Sequence, residues 1–226
     1  MEIENVVSRS VFVMAVLLAG CAKQTLATQP APAASSVSAT EPSPEAKALR
    51  AQLTAVVRAA SFVDTLPTAQ RAQVISEPFE PGLVVVYMVD QHGAARIAQA
   101  EDLTASGVTR EALRAVVEWN LSVALPLPPA FKCEPGTISS ITAANYYESS
   151  RLLLTKQWTD LAGAKGHVVV AAPRNDSLFV ACNPTPANIN ELTTTIHNLW
   201  PRAAHPVSPA LLSWTGSAWE ELKPAH

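Results

Sequence analysis

Residues able to do chemistry are sparse in this 226-residue chain, and the densest polar run is Asn145-Tyr146-Tyr147-Glu148-Ser149-Ser150-Arg151. If the run opens a helix, Asn145, Glu148 and Arg151 would stand around its first N–H groups, a position that attracts anions. The same spacing also makes a capping box, with Asn145 at N-cap and Glu148 at N3, worth about 1 kcal/mol without any ligand. Asn120 falls between Val117 and Ala124 in an apolar stripe. An unpaired amide there would cost about 1–3 kcal/mol, so it must find partners. The backbone of the Pro-rich stretch after Leu125 is the expected one, and a pocket ligand is the alternative. Asp176 lies with Arg174 in an expected hairpin turn, where Asp bonds the local backbone. A small envelope enzyme of the hydrolase kind would need Asn120, Glu148, Arg151 and Asp176 to converge on one cleft. If they are scattered caps, the chain reads as a non-catalytic binding or scaffold module.

The five histidines are His92, His167, His197, His205 and His226, with none at helical ligand spacing. No HExxH, paired-cysteine, GxSxG or P-loop pattern occurs, so no metal or other cofactor is expected. Cys133 and Cys182 are either two buried thiols or a disulfide across 48 residues; closing that loop would stabilise the fold by about 4 kcal/mol. A face carrying Trp200, Trp214 or Trp219 is a further candidate for partner contact, although aromatics at such positions more often fill a core.

The third cysteine, Cys21, has a different setting. Val11–Ala19 is an uninterrupted apolar run of nine residues, too short to span a bilayer and of the length of a signal-peptide core. It ends in Leu18-Ala19-Gly20-Cys21, which resembles the bacterial lipobox. The resemblance implies a lipidated Cys21 thiol, cleavage after Gly20 and acylation of the new amino group. Each buried methylene contributes about 0.8 kcal/mol, so two or three chains make a lasting anchor. By the same resemblance, Ala22 rather than Asp after the cysteine implies the outer membrane, with the folded part facing the periplasm. Glu2 and Glu4 offset Arg9, which is unusual ahead of an apolar run; a start near Val6 or Val7 would leave Arg9 alone there. From Ala22 to Pro44, 17 of 23 residues are Ala, Pro, Ser or Thr, a composition expected to form an extended tether. The organisation read from sequence is thus a signal peptide over 1–20, a lipidated tether over 21–44 and one folded domain over 45–226.

With 48% hydrophobic residues the domain has enough apolar material for a sizeable core. A net charge of -3 excludes a basic nucleic-acid binder, whose phosphate contacts need clustered Lys and Arg. Partners are therefore sought in the membrane, through the lipid, and among envelope proteins.

The elements that must position these residues follow from pattern. Ser43-Pro44 is a helix start, and Leu49, Leu53, Val56, Val57, Ala60 and Val63 recur at helical spacing. Strands are expected over 71–76, 83–89 and 95–98. Glu101-Asp102 opens a short helix stopped by Gly107, and Thr109 caps a longer one ended by Pro126, Pro128 and Pro129. Then come a strand over 137–142, a helix over 146–161, a hairpin over 167–181, a helix over 186–199 and a last hairpin over 211–222. Strands and helices mix without βαβ alternation, which predicts an α+β fold with a mostly antiparallel sheet and three to four packed helices.

Four segments in this order, Leu83-Val84-Val85-Val86-Tyr87, Glu118-Trp119-Asn120-Leu121, Asn145-Tyr146-Tyr147-Glu148-Ser149-Ser150-Arg151-Leu152 and Val168-Val169-Val170-Ala171-Ala172-Pro173-Arg174-Asn175-Asp176, resemble the YtpQ-like family of bacterial proteins, a domain of unknown function. The likeness covers roughly residues 71 to 222. It implies a fold and no activity, so it lends no catalytic residues. The family's members are soluble and carry a longer N-terminal region, where this chain has a lipid signal and a tether.

Overall fold

A computed structural model describes residues 41–79, 81–91, 94–142 and 147–223. Cys21 and the tether up to Thr40 lie outside them, as do Asn145, His92 and His226. The fold is α+β, built on two antiparallel sheets.

Helix α1 (Pro44–Gln52) starts where Ser43 accepts a hydrogen bond from the Ala46 N–H. It stops at Gln52, and the chain runs on as strand β1 (Leu53–Ala59). This corrects the single helix expected through Val63. The apolar positions from Leu53 fit a helical period, but the strand is buried on both faces, so alternation is invisible in its sequence. Short helices α2 (Phe62–Thr65) and α3 (Thr68–Arg71) follow, then strand β2 (Ser76–Phe79), beginning where the expected strand over 71–76 was to end. Pro78 is tolerated because β2 is an edge strand. Strand β3 (Leu83–Asp90) is the centre of this first sheet. It pairs with β1 along one side, from Leu53 opposite Val89 to Ala59 opposite Leu83. On its other side lie β2 and strand β4 (Ala95–Ile97).

Helix α4 (Ala100–Ser106) ends at left-handed Gly107, and helix α5 (Arg110–Ala124) begins at Thr109, whose hydroxyl accepts from the Ala112 N–H. The second sheet has the order β5 (Ile138–Thr142), β7 (Ser177–Cys182), β6 (Val168–Arg174), β8 (Leu211–Trp214), β9 (Trp219–Glu221). Between β5 and β6 the expected helix over 146–161 divides. Glu148–Leu153 is a buried 3-10 segment, and helix α6 (Thr155–Lys165) starts after Leu154. Leu152, Leu153 and Leu154 are buried in succession, which one amphipathic helix on a surface cannot achieve. Helix α7 (Pro186–Leu199) opens with a capping box of Thr185 and Asn188.

One large core joins Leu53, Ala55, Val57, Val85 and Tyr87 of the first sheet to Val168, Val170, Leu178 and Val180 of the second. Leu113, Val117 and Leu121 of α5 enter it too, with Trp158 of α6 and the leucines of the 3-10 segment. The outer face of the second sheet packs Val169, Ala171 and Ala181 against Leu192 and Ile196 of α7. Cys133, in the long connection from α5 to β5, forms a disulfide with Cys182 at the end of β7, their Cα atoms 5.4 Å apart.

Candidate functional site

The polar run read from sequence is a structural joint. Glu148 and Arg151 are 1% and 3% exposed, and the Arg151 Nε donates to Glu148 Oε2 at 2.5 Å. Arg151 Nη1 and Nη2 donate to the carbonyls of Leu125 and Pro126, at 2.6 and 3.3 Å. The Pro-rich stretch therefore receives its donor from Arg151, not from Asn120 as expected. Glu148 stands at the first position of the 3-10 segment and is held in a buried ion pair, while Asn145, the other half of the expected capping box, lies outside the described residues. The Ser149 and Ser150 hydroxyls donate to the carbonyls of Val57 and Ala55, at 3.2 and 2.8 Å, along the free edge of β1. The indoles of Trp158 and Trp219 donate to the carbonyls of Arg151 and Leu152.

Asn120 does find backbone acceptors, elsewhere in the chain. Its Nδ2 donates to the carbonyls of Arg50 and Leu53, at 2.9 and 2.8 Å, and so satisfies the end of α1. It also lines a cleft of about 180 Å³ with Thr54, Asp90 and Tyr147. Asp176 accepts both arms of Arg174, at 2.9 and 3.1 Å, in the β6–β7 turn. Of the four residues that an enzyme reading would bring together, only Glu148 and Arg151 touch, and they do so in the core. Among the described residues no three His, Cys, Asp or Glu side chains gather as metal ligands would. No helix among them is long and apolar enough to cross a membrane.

Two features escaped the sequence reading, an exposed indole at Trp119 and a buried guanidinium at Arg58, whereas the expected core placement of Trp214 and Trp219 holds. Trp214 and Trp219 are buried, 4% and 3% exposed, and Trp219 meets Trp158 edge to face and Trp214 at a tilt, with centroids 5.2 and 5.1 Å apart. The exposed indole is Trp119 on α5, 70% accessible, above a groove of about 540 Å³ with Leu127, Leu154 and Glu118. Its signal in the sequence is its place outside the stripe of Leu113, Val117 and Leu121.

The second feature is Arg58 in β1. It shares the outer face of the first sheet with Val56, Val84 and Val86, where its guanidinium lies 5.7 Å from the Phe62 ring centroid. Its Nε and Nη1 are sealed from solvent and have no hydrogen-bond partner. Burial lowers the pKa of this guanidinium, with nearby Tyr147 acting the other way. Burial, reinforced by Asp90, pushes the Tyr147 phenol up to about 12, Arg58 opposing. His205 is held below the usual imidazole value by burial and then by Arg58, with Asp176 opposing.

Comparison of the chain with protein-family models, with curated proteins and with solved structures gives no match.

Proposed function

We propose that this chain is a non-catalytic binding or scaffold module of the cell envelope, carried by a lipidated Cys21 and a proline-rich tether at the periplasmic face of the outer membrane. The observation that carries the non-catalytic half is the dispersal of Asn120, Glu148, Arg151 and Asp176, each engaged in holding backbone or a neighbouring charge. A shared active site needs its groups within reach of one reacting atom, and these four do not converge on one cleft. The lipobox at Leu18–Cys21 supports the anchored half. So does the Cys133–Cys182 bridge, a bond that persists in oxidising compartments outside the cytoplasm.

Metabolic labelling with a palmitate analogue, followed by fractionation of the envelope, tests the anchor. The wild-type chain takes up label and sediments with outer membranes, and Cys21→Ala is unlabelled. An unlabelled wild-type chain in the cytosolic fraction would refute the proposal.

A further inference from the structure

Among the described residues one indole stands apart from the core. Trp158, Trp214 and Trp219 are buried, whereas Trp119 on α5 is largely open to solvent. A single exposed aromatic is ordinary on a protein surface, but this one borders a concavity. It lines the groove of about 540 Å³ between α5 and α6, a size within the range of about 300–1,000 Å³ that small-molecule sites occupy. Helix α5 supplies Ala115, Glu118, Trp119 and Ser122, spaced i, i+3, i+4 and i+7 along one side, next to the buried stripe of Leu113, Val117 and Leu121.

Buried Leu154 and half-buried Leu127 add an apolar base, and the start of α6 adds the Thr155 hydroxyl and the Asp160 carboxylate. Glu118 accepts from Arg114 through Oε1, and Asp160 accepts from Lys156 through Oδ2, which leaves the second oxygen of each as an acceptor. This mixture decides among occupants. A phosphoryl or carboxylate ligand calls for an unpaired Arg or Lys, but two carboxylates line the groove, and Lys156, the cation among its lining residues, is paired with Asp160. An apolar helix face calls for a continuous hydrophobic trough, which Glu118, Ser122, Thr155 and Asp160 interrupt. A sugar ring meets both halves of the lining. Its C–H face packs on an indole by dispersion, and its hydroxyls donate to carboxylates in charge-assisted hydrogen bonds.

We infer that the groove between α5 and α6 binds a neutral oligosaccharide, with one pyranose ring stacked on Trp119 and its hydroxyls held by Glu118, Asp160 and Thr155. An uncharged ligand leaves the Arg114–Glu118 and Lys156–Asp160 pairs intact. The inference rests on the reading of this chain as a binding module and names its ligand class. It stands on the folded residues alone and holds whether or not Cys21 carries lipid.

The test is calorimetric titration of the purified full chain with chitotriose in one arm and cellotriose in the other, with tryptophan fluorescence followed in parallel. The wild type is expected to bind at least one of these neutral trisaccharides saturably, with emission moving to shorter wavelength as the exposed indole is covered. Binding of chitotriose alone assigns an N-acetylated sugar, and binding of cellotriose assigns the pyranose ring itself. Trp119→Ala is expected to weaken binding at least tenfold with little change in Tm, since an exposed side chain contributes little to stability, and Trp119→Phe to recover part of the affinity. No saturable binding of either trisaccharide overturns the inference, and so does a Trp119→Ala variant that binds like the wild type. A wild-type dimer that Trp119→Ala dissociates in sedimentation also overturns it, because a second copy would then fill the groove. Should Trp119→Ala fail to fold, acrylamide quenching of the wild type decides: the bound sugar shields the exposed indole if the inference is right, and leaves quenching unchanged if it is wrong. None of these failures alters the palmitate labelling of Cys21, so the anchored module is judged separately.

Discussion

Replacing Arg151 by methionine keeps most of the side-chain volume but removes the partner of a carboxylate that is 1% exposed. Taking one member from a buried ion pair typically destabilises by about 3–5 kcal/mol, because the other charge stays buried and alone. The substitution also strips the Leu125 carbonyl of its 2.6 Å donor, adding about 1 kcal/mol. The expected loss is therefore about 4–6 kcal/mol, which for a domain of this size lowers Tm by about 8–24 °C. Glu148→Leu should cost less, about 2–4 kcal/mol, since Arg151 would still have two carbonyl acceptors. The double variant should lose at least about 2 kcal/mol less than the sum of the two, since it buries no unpaired charge. Denaturant unfolding followed by circular dichroism, with the disulfide kept oxidised, measures all three. A loss below about 1 kcal/mol for Arg151→Met, or strict additivity of the two single changes, would show that the pair is solvated and that the 3-10 segment is not the joint described above.

Three other outcomes follow from the structure. Replacing Cys133 and Cys182 by serine should cost about 4 kcal/mol for a cross-link spanning 49 residues; equal thiol titration of the denatured protein with and without reductant would rule the bridge out. Gly166 has φ of +80°, and a Cβ there would stand 2.5 Å from Asn183 Oδ1, which accepts from the His167 N–H. Gly166→Ala is accordingly expected to lose about 2–4 kcal/mol in the same unfolding assay, and an unchanged midpoint would contradict the close approach. Asp102 has its pKa lowered, chiefly by the hydrogen bonds from Arg96 and further by the Gln99 N–H. Its contribution is complete above the ordinary carboxylate range near pH 4 and is lost as pH falls through the lower folded value. Asp102→Asn should therefore flatten the fall of stability below about pH 4; an identical acid limb would refute the assignment.

Where a local rule acts alone, the sequence was sufficient. Ser43 and Thr109 each take up an N-terminal backbone donor of the helix that follows, and Gly107 turns left-handed at the end of another. The α+β class followed from the order of these elements. Local rules failed where tertiary burial outweighs them. The stretch from Leu53 is a strand because it meets the apolar β3 along its length, a fact about a segment thirty residues away. The 3-10 segment departs from a helix because its serines and charges are drawn to four separate neighbours. For Asn120 the need for a partner was legible in the apolar stripe, whereas the identity of that partner depends on where α1 ends. Arg58 was hidden by the helix reading. Once 53–59 is a strand, its alternation with Val56 puts a cation on an apolar face, and the anomaly becomes visible.

The edge of β1 finishes in side-chain hydroxyls instead of a further strand, with Ser149 and Ser150 occupying the carbonyls of Val57 and Ala55. The opposite margin of that sheet is broken into two short pieces carrying Pro78 and Arg96. Neither margin offers the long unpaired ladder that recruits a foreign chain by strand addition. Crowded copies of this molecule thus have little means of templating one another into fibrils through that sheet, and whatever associates with it must recognise side chains.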